Sequence, residues 1–207
     1  MNIKCVLVGD SAVGKTSLIQ AYTTGTFNEN YRPTLFDNYR ASVTLAGEQR
    51  VNLDLFDTSG TAKYDGLRQI SYQNANVVLV CFSLLSKSSF KNVKSKWMKE
   101  VEQFCPGTNV VLVGTNKDKI GSVEFLDGEV DGMVEVKKVE KYSQKLKNRI
   151  DFIQCSALTT ENLKEVFDRA IVAGLESEFG EKTSGKTFSK IRRKIGELIR
   201  STFCGII

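Results

Sequence analysis

The sequence predicts an α/β domain: a doubly wound, six-stranded, mostly parallel sheet with helices on both faces and one antiparallel edge. Three observations carry this reading. Apolar strand-like runs alternate with helical patterns along most of the chain. The later runs, such as Val77-Val78-Leu79-Val80-Cys81-Phe82, are continuously apolar, as strands covered on both faces must be. The second and third runs are joined by Ala46-Gly47-Glu48-Gln49, a hairpin signal that supplies the antiparallel edge.

Taken in order, the first strand is read at residues 2–8, and Gly9-Asp10-Ser11-Ala12-Val13-Gly14-Lys15-Thr16 follows it directly. This is G-x-x-x-x-G-K-T between a strand and a helix read at 15–24, where Leu18, Ile19 and Tyr22 supply an apolar face. The chemistry is that of a phosphate-binding loop. Its glycines let backbone N–H groups face a triphosphate, Lys15 adds a point charge at the outer phosphates, and the Thr16 hydroxyl can ligate Mg²⁺. Strands follow at about 38–46 and about 50–56. The third ends in Asp57-Thr58-Ser59-Gly60, where an acid can hold Mg²⁺ through water and a glycine backbone can approach a γ-phosphate. Alone, that tetrapeptide reads equally well as an ordinary turn. Further strands are read at 77–82, 110–113 and 152–155, and helices at 86–104, 136–148 and 160–178. Between Lys119 and Val134, Gly121, Gly128 and Gly132 make the chain loop-like.

With 41% hydrophobic residues in 207 the chain can bury one good core, and with only two prolines a long disordered segment is not expected. There is no leading apolar segment and no apolar run of membrane-spanning length, so the body is expected in the cytosol. Histidine is absent, which excludes His-based triads and most zinc sites. Cys5, Cys81 and Cys155 sit within apolar runs and read as core thiols of a reducing compartment; Cys105 has no clear assignment. The net charge of +5 is unevenly placed. Residues 182–207 hold seven basic residues against Glu197, a net of +6, whereas residues 1–181 carry 22 basic and 23 acidic groups. An acidic partner would therefore be met by the tail.

Five stretches, in this order and spacing, resemble the small GTPases of the Ras superfamily: Gly9 to Thr16; Tyr31-Arg32-Pro33-Thr34-Leu35-Phe36-Asp37-Asn38-Tyr39; Asp57-Thr58-Ser59-Gly60; Thr115-x-x-Asp118; and Cys155-Ser156-Ala157-Leu158. Phe36 to Tyr39, Tyr64-Asp65-x-Leu67-Arg68-x-Ile70-Ser71-Tyr72, Cys81-Phe82-Ser83, Lys96-Trp97 and Cys155 to Leu158 look like the Rho/Rac branch. The resemblance implies a P-loop G domain over 1–178 that binds GTP or GDP with Mg²⁺, and a tail over 179–207. It assigns nucleotide contacts to Ser11, Ala12, Val13, Gly14, Lys15, Thr16, Ser17, Phe27, Tyr31, Thr34, Asp57, Gly60, Thr115, Asn116, Asp118, Ser156, Ala157 and Leu158. Asp118 would accept the guanine N–H groups, a paired donor that adenine lacks, and the Ala157 N–H would meet the base carbonyl. Thr16, Thr34 and Asp57 would hold the metal; Lys15, Thr34, Gly60 and Thr61 would serve hydrolysis. Effectors would meet Tyr31, Pro33, Leu35, Phe36, Asp37, Tyr39, Tyr64, Leu67 and Arg68. Exchange factors, a prenyl-binding dissociation inhibitor and control of actin are the further partners and role implied.

Three positions depart from the family pattern. The family's water-positioning glutamine is replaced by Thr61, which is roughly two heavy atoms shorter and should not span from water to phosphate. Ser11 stands where most relatives have glycine, and its side chain should crowd both the transition state and an incoming arginine finger. Both changes resemble the Rnd subgroup, which is regarded as GTP-bound and hydrolysis-poor. Asn116 replaces a lysine that packs across the base, while Lys117 comes one place later; an altered loop register would bring Lys117 into play.

In the tail, Phe188, Ile191, Ile195, Leu198 and Ile199 recur at helical spacing among Lys190, Arg192, Arg193 and Lys194, the pattern of a basic amphipathic helix on an anionic membrane. An extension of the preceding helix is the alternative, with Gly180 and Gly185 arguing against it. Cys204-Gly205-Ile206-Ile207 reads as a C-a-a-X box, so Cys204 is expected to carry an isoprenoid, and lipid plus basic patch places the protein on the cytosolic face of a membrane. Nucleic acid is the poorer partner, since aromatic stacking platforms are absent. Two rivals to a slow GTPase switch stand at this point: a scaffold that holds GTP permanently and never hydrolyses it, and a P-loop kinase or ATPase, which Asp118 argues against.

Overall fold

The computed structural model describes residues 1–28, 34–44, 50–120, 132–146 and 151–180. Its sheet has six strands: β1 (Asn2–Val8), β2 (Phe36–Thr44), β3 (Arg50–Thr58), β4 (Val77–Ser83), β5 (Asn109–Thr115) and β6 (Asp151–Gln154), in the order β2-β3-β1-β4-β5-β6. Only β2 runs antiparallel, paired with β3 from Phe36↔Thr58 to Thr44↔Arg50. The expected hairpin turn at Ala46–Gln49 lies outside the described residues. β2 and β3 both reach two residues further toward Thr58 and Phe36 than their apolar patterns indicate, because ladder pairing continues through Asp37↔Asp57.

Side-chain alternation splits the core between the two sheet faces. Ile3, Cys5, Leu7, Leu53, Leu55, Leu79, Cys81 and Val113 bury one face against α1 (Lys15–Thr24) and α6 (Leu163–Gly180). Val6, Val8, Val78, Val80, Phe82 and Leu112 bury the other against α3 (Lys87–Asn92), α4 (Met98–Phe104) and α5 (Val136–Lys145). All seven residues of β4 are buried, which is why that strand reads as a continuous apolar run. α3 and α4 are joined through a π-helical turn, Val93–Trp97, inside the single helix expected at 86–104. α6 starts at Leu163 instead of 160, because Thr160 and Asn162 take left-handed conformations, with φ of 61° and 55°.

α2 (Asp65–Ser71) carried no helical signal in the sequence, and the reason is physical. Its buried residues are Arg68 and Ser71, while Leu67 and Ile70 are exposed, so its polarity is inverted relative to an ordinary surface helix. Most of the 119–134 stretch falls outside the described residues. At its ends a 3₁₀ turn covers Lys117–Lys119, and Val134 is buried with its N–H on the Leu84 carbonyl.

Candidate nucleotide site

A cavity of about 420 Å³ opens at the C-terminal ends of β1, β3, β4 and β5, where open α/β sheets place their ligands. Ser11, Ala12, Gly14, Lys15, Thr16 and Ser17 line it from the loop after β1; Phe27, Thr34, Gly60 and Thr61 from the following segments; Thr115, Asn116, Asp118, Ala157 and Leu158 from the far end. Asp57, Val13 and Ser156 lie behind this wall with buried side chains. Leu18, Thr58, Ser59 and Lys119 also line the cavity, though the sequence assigns none of them a nucleotide contact. Tyr31, Pro33 and Cys204 lie outside the described residues.

The loop takes its shape from backbone that few side chains permit. Gly9 has φ 146°, and a Cβ there would sit 2.2 Å from the Cys81 carbonyl oxygen; Gly14 has φ 94°. Three side chains pin the loop from outside. The Thr115 hydroxyl donates to Val13 O at 2.5 Å, and both Asp10 carboxylate oxygens accept at 2.7 Å, one from Trp97 Nε1 and one from Asn92 Nδ2. The π-helical turn ends at Trp97, so the irregularity of the long helix and the anchoring of the loop coincide. With the backbone held, its N–H groups are preorganised for an anion at the start of α1.

Lys15 is buried and curls over the loop, donating to Gly9 O at 3.0 Å and Asp10 O at 2.8 Å. Burial lowers the pKa of its ammonium, with Asp57 and Asp10 opposing the shift. Beside it, Thr16 Oγ1 donates to Asp57 Oδ2 at 2.5 Å and lies 2.6 Å from Thr34 Oγ1. Burial pushes the Asp57 carboxyl upward, against the hydrogen bond from Thr16 and the charge of Lys15. Its second oxygen, Oδ1, is buried without a hydrogen-bond partner among the described residues. Two hydroxyls and a partly unsatisfied carboxylate converging on one point are the hard oxygen donors Mg²⁺ takes, so the residues present fit that ion.

Gly60 packs on the phosphate loop so closely that a Cβ would meet Ser11 N at 2.3 Å, Asp10 C at 2.4 Å and Gly9 O at 2.5 Å. The next residue touches the same loop: Ser11 Oγ and Thr61 Oγ1 are 3.1 Å apart. The two unusual residues noted in the sequence are thus hydrogen-bonded to each other. At the base end, Asn116 takes a left-handed conformation and donates from Nδ2 to Ser83 Oγ at 3.0 Å, while Lys117 pairs with Glu161 at 2.5 Å. Lys117 is therefore turned out of the site, and Lys119 lines the cavity beside Asp118.

The expected effector residues divide. Leu35 and Leu67 are exposed at 54% and 42%, Asp37 is exposed, and Tyr39 donates from Oη to Asp37 Oδ2. Phe36 and Tyr64 are half-buried, Phe36 lying edge-on to Phe56. Arg68 departs from the expectation of a surface contact. Its side chain is 1% exposed, donates to Ser59 O, Asp65 and Glu100, and lies 4.8 Å over the Trp97 ring. It braces α2 from within.

The Ras family model matches residues 4–175 of this chain. The chain belongs to the Ras family. It is a Ras-family small GTPase domain, a family of GTP-binding switches. Ras-family domains bind GTP or GDP, typically with Mg²⁺, hydrolyse GTP, and bind effectors and regulators. In this Ras-family chain the loop backbone and Lys15 would hold the phosphates, and Thr16, Thr34 and Asp57 would hold Mg²⁺, which when bound offsets phosphate charge.

Proposed function

We propose that this Ras-family domain is a Rho-like guanine-nucleotide switch with slow GTP hydrolysis, resting largely in the GTP form. The Ser11–Thr61 contact carries the reading. A residue that orients attacking water needs a free polar group within reach of that water, in line with the γ-phosphate. Thr61 is short, and its single hydroxyl is turned onto Ser11. Ser11 in turn puts side-chain volume where an arginine finger would enter.

Rho/Rac character is supported by the stretches around Tyr64 to Tyr72 and Lys96-Trp97, which Arg68 joins physically through its contact with Trp97. Actin control is the role that this likeness suggests. At the base, Asn116 and Lys117 are both engaged elsewhere, which favours loss of lysine packing on guanine and faster exchange. The tail's basic amphipathic pattern and Cys204 support attachment to the cytosolic face of an anionic membrane. Chromatography of the nucleotide released from freshly purified protein tests the proposal: mostly GTP is expected, and mostly GDP contradicts it.

A further inference from the structure

We propose that the lysine-covered face formed by α3, the π-helical turn, α4 and α5 docks on an anionic lipid bilayer. The inference rests on the reading that the tail meets a membrane. Residues 87–104 carry five lysines and two acids, and 136–145 carry four lysines and one acid. That is a net of +6, or +4 once Asp65 and Glu135, ion-paired with Lys96 and Lys138, are counted, on one face of a body, residues 1–181, whose own net is one negative charge. Glu100 is turned inward onto Arg68 and Tyr72, which leaves fewer acids facing out. Lys91, Lys94, Lys99, Lys141 and Lys145 form no ion pair among the described residues. The two helices make one continuous surface: Lys94 Nζ lies 4.4 Å from the Phe90 ring on α3 and 4.9 Å from the Tyr142 ring on α5.

Position and chemistry both favour lipid. α4 and α5 end where β5 and β6 begin, and α6, packed on the opposite face of the sheet, passes the same end, with Ala173 O accepting from Asn109 and Gly174 against Ile3. α6 thus runs toward the end of the sheet at which the lysine face finishes, across the sheet from it. The face covers β4 to β6, so docking leaves Leu35, Leu67 and Ile70, beside β2 and β3, displayed to effectors. Every basic residue in these two segments is lysine, a hydrated point charge suited to a diffuse headgroup layer, and none is arginine, the residue for forked recognition of a defined carboxylate.

Flotation of the full chain with phosphatidylcholine vesicles, with and without phosphatidylserine, tests this. Each lysine removed near an anionic leaflet weakens binding about fivefold. Lys91→Gln/Lys141→Gln/Lys145→Gln should therefore lose about a hundredfold on phosphatidylserine vesicles. Arg40→Gln/Arg50→Gln/Lys63→Gln, the same charge removed elsewhere, should lose less than about threefold. Equal losses in the two triple variants, or none in the first, overturn the proposal. Arg192→Gln/Arg193→Gln/Lys194→Gln separates the readings: loss in the tail variant alone keeps the tail at the membrane and removes this face from it. Retention on polyglutamate without vesicle binding makes the partner an acidic protein, and also overturns it.

Discussion

Thr61 and Ser11 are exposed, small and polar, the kind of residue whose substitution ordinarily changes little, yet their hydroxyls meet at 3.1 Å over the phosphate loop. A contact of this kind acts by geometry more than by strength, since a solvent-exposed hydroxyl pair contributes about 1 kcal/mol at most. Two neighbours matter more for integrity. A Cβ on Gly60 would meet three backbone atoms of the loop, so Gly60→Ala should displace the segment 59–61; nucleotide dissociation measured with a fluorescent GDP and a fluorescent GTP analogue should show the GTP form selectively weakened. Trp97→Phe removes the donor to Asp10 Oδ1 and leaves that oxygen under-satisfied. The expected cost is about 1–3 kcal/mol in urea unfolding, with a parallel fall in nucleotide affinity.

At the scale of elements, α2 is a short helix held by its one buried cation. Breaking a buried, hydrogen-bonded pair by removing one partner costs about 3 kcal/mol, so Arg68→Leu should destabilise by that order and loosen 59–71, read as faster amide exchange there. Glu100→Gln should cost less, because it keeps an acceptor for Arg68 and Tyr72. The same element shows where sequence reasoning stops. The phosphate loop was legible because its glycines, Lys15 and Thr16 act within eight consecutive residues. β4 and β5 were legible because burial on both faces writes itself as an unbroken apolar run. α2 was not, since its buried face is Arg68 and Ser71. Nor was the bond from Trp97 to Asp10, which spans 87 positions and joins the last residue of the π-helical turn to the loop. Lys119 lacked a signal as well: it lines the cavity, whereas Lys117, the lysine weighed from the sequence, pairs with Glu161.

The described residues form two apolar layers around one sheet, with Cys5, Cys81, Cys105 and Cys155 all within them. Burial pushes the Cys105 thiol up to about 11 and the Cys81 thiol up to about 12, and raises Cys5 and Cys155 as well. Folding thus favours the neutral thiol. That contribution to stability is intact below the ordinary thiol pKa of about 8.5 and is lost as pH rises above it. Thermal unfolding should therefore show a midpoint that falls between pH 9 and 11, and these four thiols should resist thiol reagents at pH 8 until the protein unfolds. Chelation with EDTA should speed nucleotide release, since Asp57, Thr16 and Thr34 then lose the cation their oxygens suit. Turnover is read by single-turnover hydrolysis of bound GTP, comparing the wild type with Ser11→Gly/Thr61→Gln. The double variant is expected to be faster by about a hundredfold, the scale of restoring a positioned water; a wild-type rate equal to that of the double variant would show that Ser11 and Thr61 do not slow hydrolysis.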